Sequence, residues 1–151
     1  MKRLNFPNEY AFEIRQADQR QEILDPVRRK YVRLTPEEWV RQNLVRYLVT
    51  DMGYPAGLTA VEKGIDVHGQ FFRADVIVHD GEGVPVMLAE CKEPTVAIDQ
   101  KTFDQIAIYN REVGARVLLL SNGIVHYCWA FDQESGEHRS LDSIPRYEEL
   151  Y

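Results

Sequence analysis

The stretch from Phe71 to Lys92, FFRADVIVHDGEGVPVMLAECK, decides how the rest of the chain is read. Val76 and Val78 on one side, and Val86, Leu88 and Ala89 on the other, flank the turn-forming segment His79-Asp80-Gly81-Glu82-Gly83, the pattern of a half-buried β-hairpin. Side chains on a strand alternate between faces, so Glu90 and Lys92 project together while Cys91 points the other way. With Asp75 supplied by the neighbouring strand, two carboxylates and an ammonium share one site. Such carboxylates suit a hard cation such as magnesium, which prefers oxygen ligands. A lysine beside it can orient a water or offset developing negative charge. Taken alone, the same residues also describe charges on the wet face of a hairpin. The apolar flanks and the helical segment that follows weigh toward a built site.

Upstream, Thr35-Pro36-Glu37-Glu38 carries an N-cap, a proline at the first helical position and a glutamate three residues after the cap. Val40, Leu44, Tyr47 and Leu48 continue at helical spacing until Gly53-Tyr54-Pro55. The capping-box pattern gives Glu38 a structural task. Glu37 falls, at about 100° per residue, in the sector of Val40, Leu44 and Leu48, so its carboxylate needs a basic or metal partner. Before this helix, Tyr10 to Arg15 and Glu22 to Leu24 read as a short hairpin around Gln16-Ala17-Asp18.

Strands are expected at Thr59 to Val67, Phe71 to His79 and Pro85 to Lys92. A second helix begins at the N-cap Asp99, with Ile98 and Phe103 as a hydrophobic staple, Ile106, Ala107 and Val113 on its buried face, and Gly114 closing it. Val117 to Leu120 reads as a central strand, and Asn122-Gly123 turns into a last strand from Ile124 to Phe131. This order gives an α/β sandwich with a mixed sheet, its acid cluster opposite the first helix. Gln105 and Tyr109, four residues apart, can reach one point near the sheet, although each alone also suits a half-buried packing role.

The chain of 151 residues, 44% hydrophobic, reads as one domain over 1–151, with a core of about 35–131, an N-terminal hairpin and basic segment over 1–34, and an acidic, peripheral tail over 132–151. No run approaches the roughly 18 apolar residues of a membrane span, and no hydrophobic signal core follows Met1-Lys2-Arg3, so a cytoplasmic location is the default expectation. Cys91 and Cys128 lie in apolar strand-like stretches and are expected to be buried, reduced thiols. The net charge of −6 opposes a nucleic-acid partner, but residues 1–50 hold ten Lys and Arg against seven Asp and Glu. Arg28, Arg29, Lys30, Arg33 and Arg41 are therefore candidate DNA phosphate contacts, against the alternative of an ordinary solvated basic face.

In this order and spacing, Thr35-Pro36-Glu37-Glu38-Trp39-Val40-Arg41-Gln42, Arg73-Ala74-Asp75, Ala89-Glu90-Cys91-Lys92, Gln105-x-x-x-Tyr109 and Ser121-Asn122-Gly123 resemble the N-terminal nuclease domain of type I restriction enzyme R subunits, within the PD-(D/E)xK nuclease superfamily. The resemblance covers Thr35 to about Phe131. It implies a restriction-endonuclease-like fold and magnesium- or manganese-dependent hydrolysis of DNA, in a restriction-modification or other DNA-processing system. It further implies that Asp75 and Glu90 bind the metal, that Lys92 assists the attacking water, that Glu37 approaches the metal from the first helix as a further ligand, and that Gln105 and Tyr109 line the site near the DNA. The proline that names the motif is Ala74 here, a position that varies among such enzymes. The alternative is a catalytically inactive module of the same fold that binds DNA or a protein partner; a small-molecule hydrolase has no supporting pocket signature. The acidic net charge implies weak DNA binding by the chain alone, which leaves room for a helper subunit or self-association.

Overall fold

The computed structural model describes residues 1–150. A small antiparallel sheet comes first, in the order β1 (Ile14–Ala17), β2 (Arg20–Asp25), β3 (Lys30–Arg33). Helix α1 (Pro36–Thr50) follows, then β4 (Thr59–Val67), β5 (Gln70–His79), β6 (Pro85–Cys91), helix α2 (Gln100–Val113), β7 (Val117–Ser121), β8 (His126–Asp132) and β9 (Glu137–Leu141). The last six strands form one mixed sheet in sequence order, parallel between β6 and β7 and antiparallel at every other pairing. Parallel neighbours need a crossover, and α2 supplies it.

The expected mixed α/β sandwich is therefore the observed architecture, with a core on each face of the large sheet. Val40, Leu44, Val45 and Leu48 of α1 pack with Val76, Val78, Ala89, Cys91, Val117 and Leu119. Ile106 and Ala107 of α2 pack with Ala74, Ile77, Leu88, Leu118 and Leu120. Each such large aliphatic side chain contributes about 1.5–3 kcal/mol by leaving water. Both helix starts are capped as the sequence indicates. Thr35 Oγ1 accepts the Glu38 N–H at 3.0 Å, and Asp99 Oδ1 accepts the Thr102 N–H at 2.9 Å. Gly114 ends α2 in the left-handed region at φ 76°. Both cysteines are buried free thiols.

Four local expectations need correction. The N-terminal hairpin turns at Asp18, which adopts φ 51°, and it gains β3 as a third strand from the basic segment, where no strand was expected. Glu38 does not complete a capping box; its carboxylate accepts from Arg28 Nη2 at 2.7 Å, Arg41 Nη1 at 3.2 Å and Gln42 Nε2 at 3.0 Å. Two guanidinium groups, half-buried Arg28 and buried Arg41, outcompete one backbone N–H for it. Strand β8 starts at His126 rather than Ile124, because Asn122 Oδ1 takes the N–H groups of both Ile124 and Val125 into the turn. Finally, the described part of the expected peripheral tail, residues 132–150, belongs to the fold: β9 adds a sixth strand, and Leu141, Ile144, Tyr147 and Leu150 pack against the α1-side core. No helix among the described residues is long and apolar enough to cross a membrane.

Candidate active site

The site is built where β5 and β6 part. Their ladder runs from His79 and Pro85 to Val76 and Ala89, and one step further stand Asp75 and Glu90. Residues two apart on a strand share a face, yet Ala74 belongs to the α2-side core and Val76 to the α1-side core, so β5 slips phase at Asp75. On β4 the paired positions step from Val61 to Lys63, and Glu62 between them adopts φ 57°. A non-glycine residue in the left-handed region is uncommon and costs energy that the surrounding structure must offset. The slip turns the Asp75 carboxylate into the fork. Its Oδ2 accepts the Cys91 N–H at 2.8 Å, its Oδ1 lies 3.4 Å from Arg41 Nη2, and Glu90 hydrogen-bonds to it.

Two carboxyl groups in contact cannot both ionise cheaply. Burial first, and the Asp75 charge second, push the Glu90 carboxyl up to about 8, against the opposing pull of Lys92. Glu90 thus holds its proton near neutrality and donates it to Asp75. Burial raises Asp75 as well, moderated by the Cys91 N–H and Arg41. Glu37 is raised by burial and then by Asp75, while Arg41 and Lys92 lower it, so it lies in the same field as the cluster. Glu90 Oε2 is buried and has no hydrogen-bond partner. An orphaned oxygen beside a second carboxylate is what a divalent cation would satisfy. Among the described residues no three His, Cys, Asp or Glu side chains group to hold a metal. Asp75 and Glu90 are then the protein ligands on offer, and magnesium, which keeps several waters and takes phosphate oxygens, can bind through two carboxylates.

A pH dependence follows. The folded chain keeps a proton on Glu90 that the unfolded chain loses above its ordinary value of 4.5. That contribution to stability is complete below 4.5 and disappears as pH rises to about 8, an effect on the order of a few kcal/mol. Urea unfolding of metal-free protein between pH 5 and 8 should show wild type losing stability relative to Glu90→Gln, whose amide donates at every pH. Parallel pH profiles for the two proteins would contradict the shared proton.

On the α2 side, Glu90 and Lys92 line a cleft of about 190 Å³ with Phe72, Thr102, Gln105, Ile106 and Tyr109. Gln105 and Tyr109 thus line the same cleft as Glu90 and Lys92, with the Tyr109 ring stacked on Phe72 at 4.2 Å. A larger cavity of about 840 Å³, by the β8–β9 hairpin, contains none of these residues.

The basic candidates divide. Arg29, Lys30 and Arg33 are exposed. Arg28 and Arg41, expected to meet DNA, are instead spent inside the protein. Arg28 has a side chain 18% exposed, ion-paired with Asp25 and Glu38. Arg41 is 4% exposed, between Glu38, Glu62 at 2.6 Å and Asp75. Burying these carboxylates without a counter-ion would cost several kcal/mol each, which is why the guanidinium lies inward. Arg41 follows Glu37 by four residues, so helical phase alone could have placed it inside. Glu62 carried no signal, since it occupies an outward position of an alternating strand.

The family described as type I restriction enzyme R protein N terminus matches residues 36–145. The chain belongs to this family. Its fold also resembles a solved structure from Vibrio vulnificus described as "The fragment structure of a putative HsdR subunit of a type I restriction enzyme", with a TM-score of 0.56 and 20% identity over 78% of this chain. This R protein N-terminal domain spans 24% of the length of that fragment. No curated protein matches it. The family match begins at α1 and ends beyond β9, which again places residues past Phe131 within the domain.

Proposed function

We propose that this R protein N-terminal domain is a divalent-metal-dependent deoxyribonuclease, the cleaving part of a type I restriction enzyme. The observation that carries the reading is the pair of touching carboxylates, buried Asp75 and half-buried Glu90, with an orphaned buried oxygen on Glu90 and Lys92 beside it. Magnesium or manganese held there would supply a Lewis acid for the scissile phosphate and the attacking water. The chain's own residues do the rest. Asp75 is fixed by the Cys91 N–H and Arg41, Glu90 would be the second ligand once its proton has passed to solvent, and Lys92 would offset charge as it develops on the phosphate. Glu37 approaches from the first turn of α1, and Gln105 and Tyr109 line the side where the DNA strand would lie. Exposed Arg29, Lys30 and Arg33 are the phosphate contacts, and the negative net charge makes a helper subunit or self-association part of the reading.

The second reading, a non-cleaving module that binds DNA or a protein, draws on the absence, among the described residues, of a third metal-holding side chain at the fork. Thermal unfolding with added metal separates the two. A cation that binds only the folded state at a hundredfold excess over its Kd stabilises it by about 2.7 kcal/mol. Magnesium or manganese should raise the Tm of wild type, and the double change Asp75→Asn, Glu90→Gln should abolish the rise. A rise that survives in the double variant places the metal elsewhere, and no rise in wild type favours the second reading.

A further inference from the structure

Asp75 has an acid across from it on each neighbouring strand. Strand β4 pairs Val61 with Val76 and Lys63 with Ala74, so Glu62 stands opposite Asp75 on one side, as Glu90 does on the other. Ala60 and Ile65, five residues apart, both pack with the α2-side core, so β4 slips phase here as β5 does at Asp75. Val61 packs with the α1-side core, and regular alternation would aim Glu62 at the α2 side. Its left-handed φ of 57° accompanies a carboxylate turned instead to Arg41 of α1, with Oε1 2.6 Å from Nη1. Glycine adopts that backbone conformation without cost, whereas glutamate there keeps a side chain at an energetic penalty.

The Arg41 guanidinium is shared unevenly. Its Nη1 serves Glu62 at 2.6 Å and Glu38 at 3.2 Å, its Nη2 lies 3.4 Å from Asp75, and its buried Nε has no partner. An unconstrained arginine takes a carboxylate with two parallel N–H donors, the strongest pairing open to it. Asp75 receives one long contact in place of that fork. The other oxygen of Glu62 meets Arg73, a side chain 60% exposed, at 3.4 Å, which leaves the carboxylate mainly to Arg41. We infer that Glu62 is a positioning residue for the fork: by drawing Arg41 to itself, it stops the guanidinium from closing on Asp75 and leaves Asp75 Oδ1 to a divalent cation. This role rests on the metal reading of the site and adds what keeps the ligand open. Without the Glu62 charge, Arg41 closes on Asp75, and a fixed cation then competes with the metal for one oxygen.

Glu62→Gln removes the charge and keeps the size of the side chain; Glu62→Gly removes the side chain and suits the left-handed backbone. Magnesium titrations of Tm at pH 9, above the value of about 8 for Glu90, should show the rise beginning at about 10- to 100-fold higher metal in both variants than in wild type. Crystal structures of metal-free wild type and Glu62→Gln should show the distance from Arg41 Nη2 to Asp75 Oδ1 shortening from 3.4 Å to about 2.8 Å in the variant. A residue that only supports the strand would shift the metal-free Tm and neither of these measures. An unchanged onset of the metal response in whichever variant folds would overturn the role while leaving the metal site in place. Weaker metal binding with Arg41 unmoved would make Glu62 a direct ligand or a distant charge and overturn it too. If neither magnesium nor manganese raises the Tm of wild type, the metal reading fails and the role of Glu62 with it.

Discussion

Replacing Glu38 by alanine should lower the unfolding free energy by about 3–5 kcal/mol, well above the roughly 0.5–2 kcal/mol of a lost helix cap. The larger figure follows from what the carboxylate touches. Glu38 is 7% exposed and accepts from Arg28, Arg41 and Gln42, so its removal strands positive charge that is itself almost out of water. Arg28 ties the β2–β3 turn to α1 through Asp25 and Glu38, and Arg41 ties α1 to β4 and β5 through Glu62 and Asp75. One deletion therefore loosens the small sheet and the site together. Thr35→Ala, which removes only the cap acceptor for the Glu38 N–H, should stay within the smaller range. Denaturant unfolding of both variants decides the matter, and a Glu38→Ala cost no greater than that of Thr35→Ala would contradict the buried ion network.

Lys92→Ala should reduce DNA cleavage by about 10²- to 10³-fold, in the range seen when one charge-stabilising group is removed, while metal still raises the Tm. The Lys92 backbone is pinned to β7 by its N–H donating to the Ser121 carbonyl at 2.9 Å, so truncating the side chain leaves the strand end in place. The ammonium also lowers the proton affinity of Glu90 and Glu37, and its loss makes protons compete better with metal. The comparison is therefore cleanest at pH 9, above the value of about 8 for Glu90. Loss of the metal-dependent Tm rise at that pH would make Lys92 a determinant of metal binding instead of a group acting on the phosphate.

What could be read from residues and what could not divide along a physical line. Periodicity placed α1 and the strands β4 to β7 because their apolar faces are continuous, and local chemistry placed both caps. Hairpin pairing was enough to set Asp75 across from Glu90 at the end of the β5–β6 ladder. The phase slip at Asp75 was not legible, since it depends on the left-handed Glu62 of a different strand. Nor was the fate of the arginines. A count of charge in residues 1–50 cannot tell Arg41, enclosed by three carboxylates from three elements, from the exposed Arg33. Strand β9, with the sequence EHRSL, carries one aliphatic residue in five, and only its pairing to β8 and the seating of Leu141 on the core make it a strand. Long-range ion pairs and edge-strand pairing leave little trace in local pattern.

If the Asp75–Glu90 fork cuts DNA with a bound divalent cation, cleavage must depend on both the metal and these carboxylates. The direct measurement is incubation of purified protein with supercoiled, linear and single-stranded DNA in magnesium, manganese or a chelator, beside the Asp75→Asn, Glu90→Gln double variant. Cleavage that requires metal and vanishes in the double variant is the predicted result; cleavage that persists in chelator or in the double variant, or none by wild type with either metal, would contradict it.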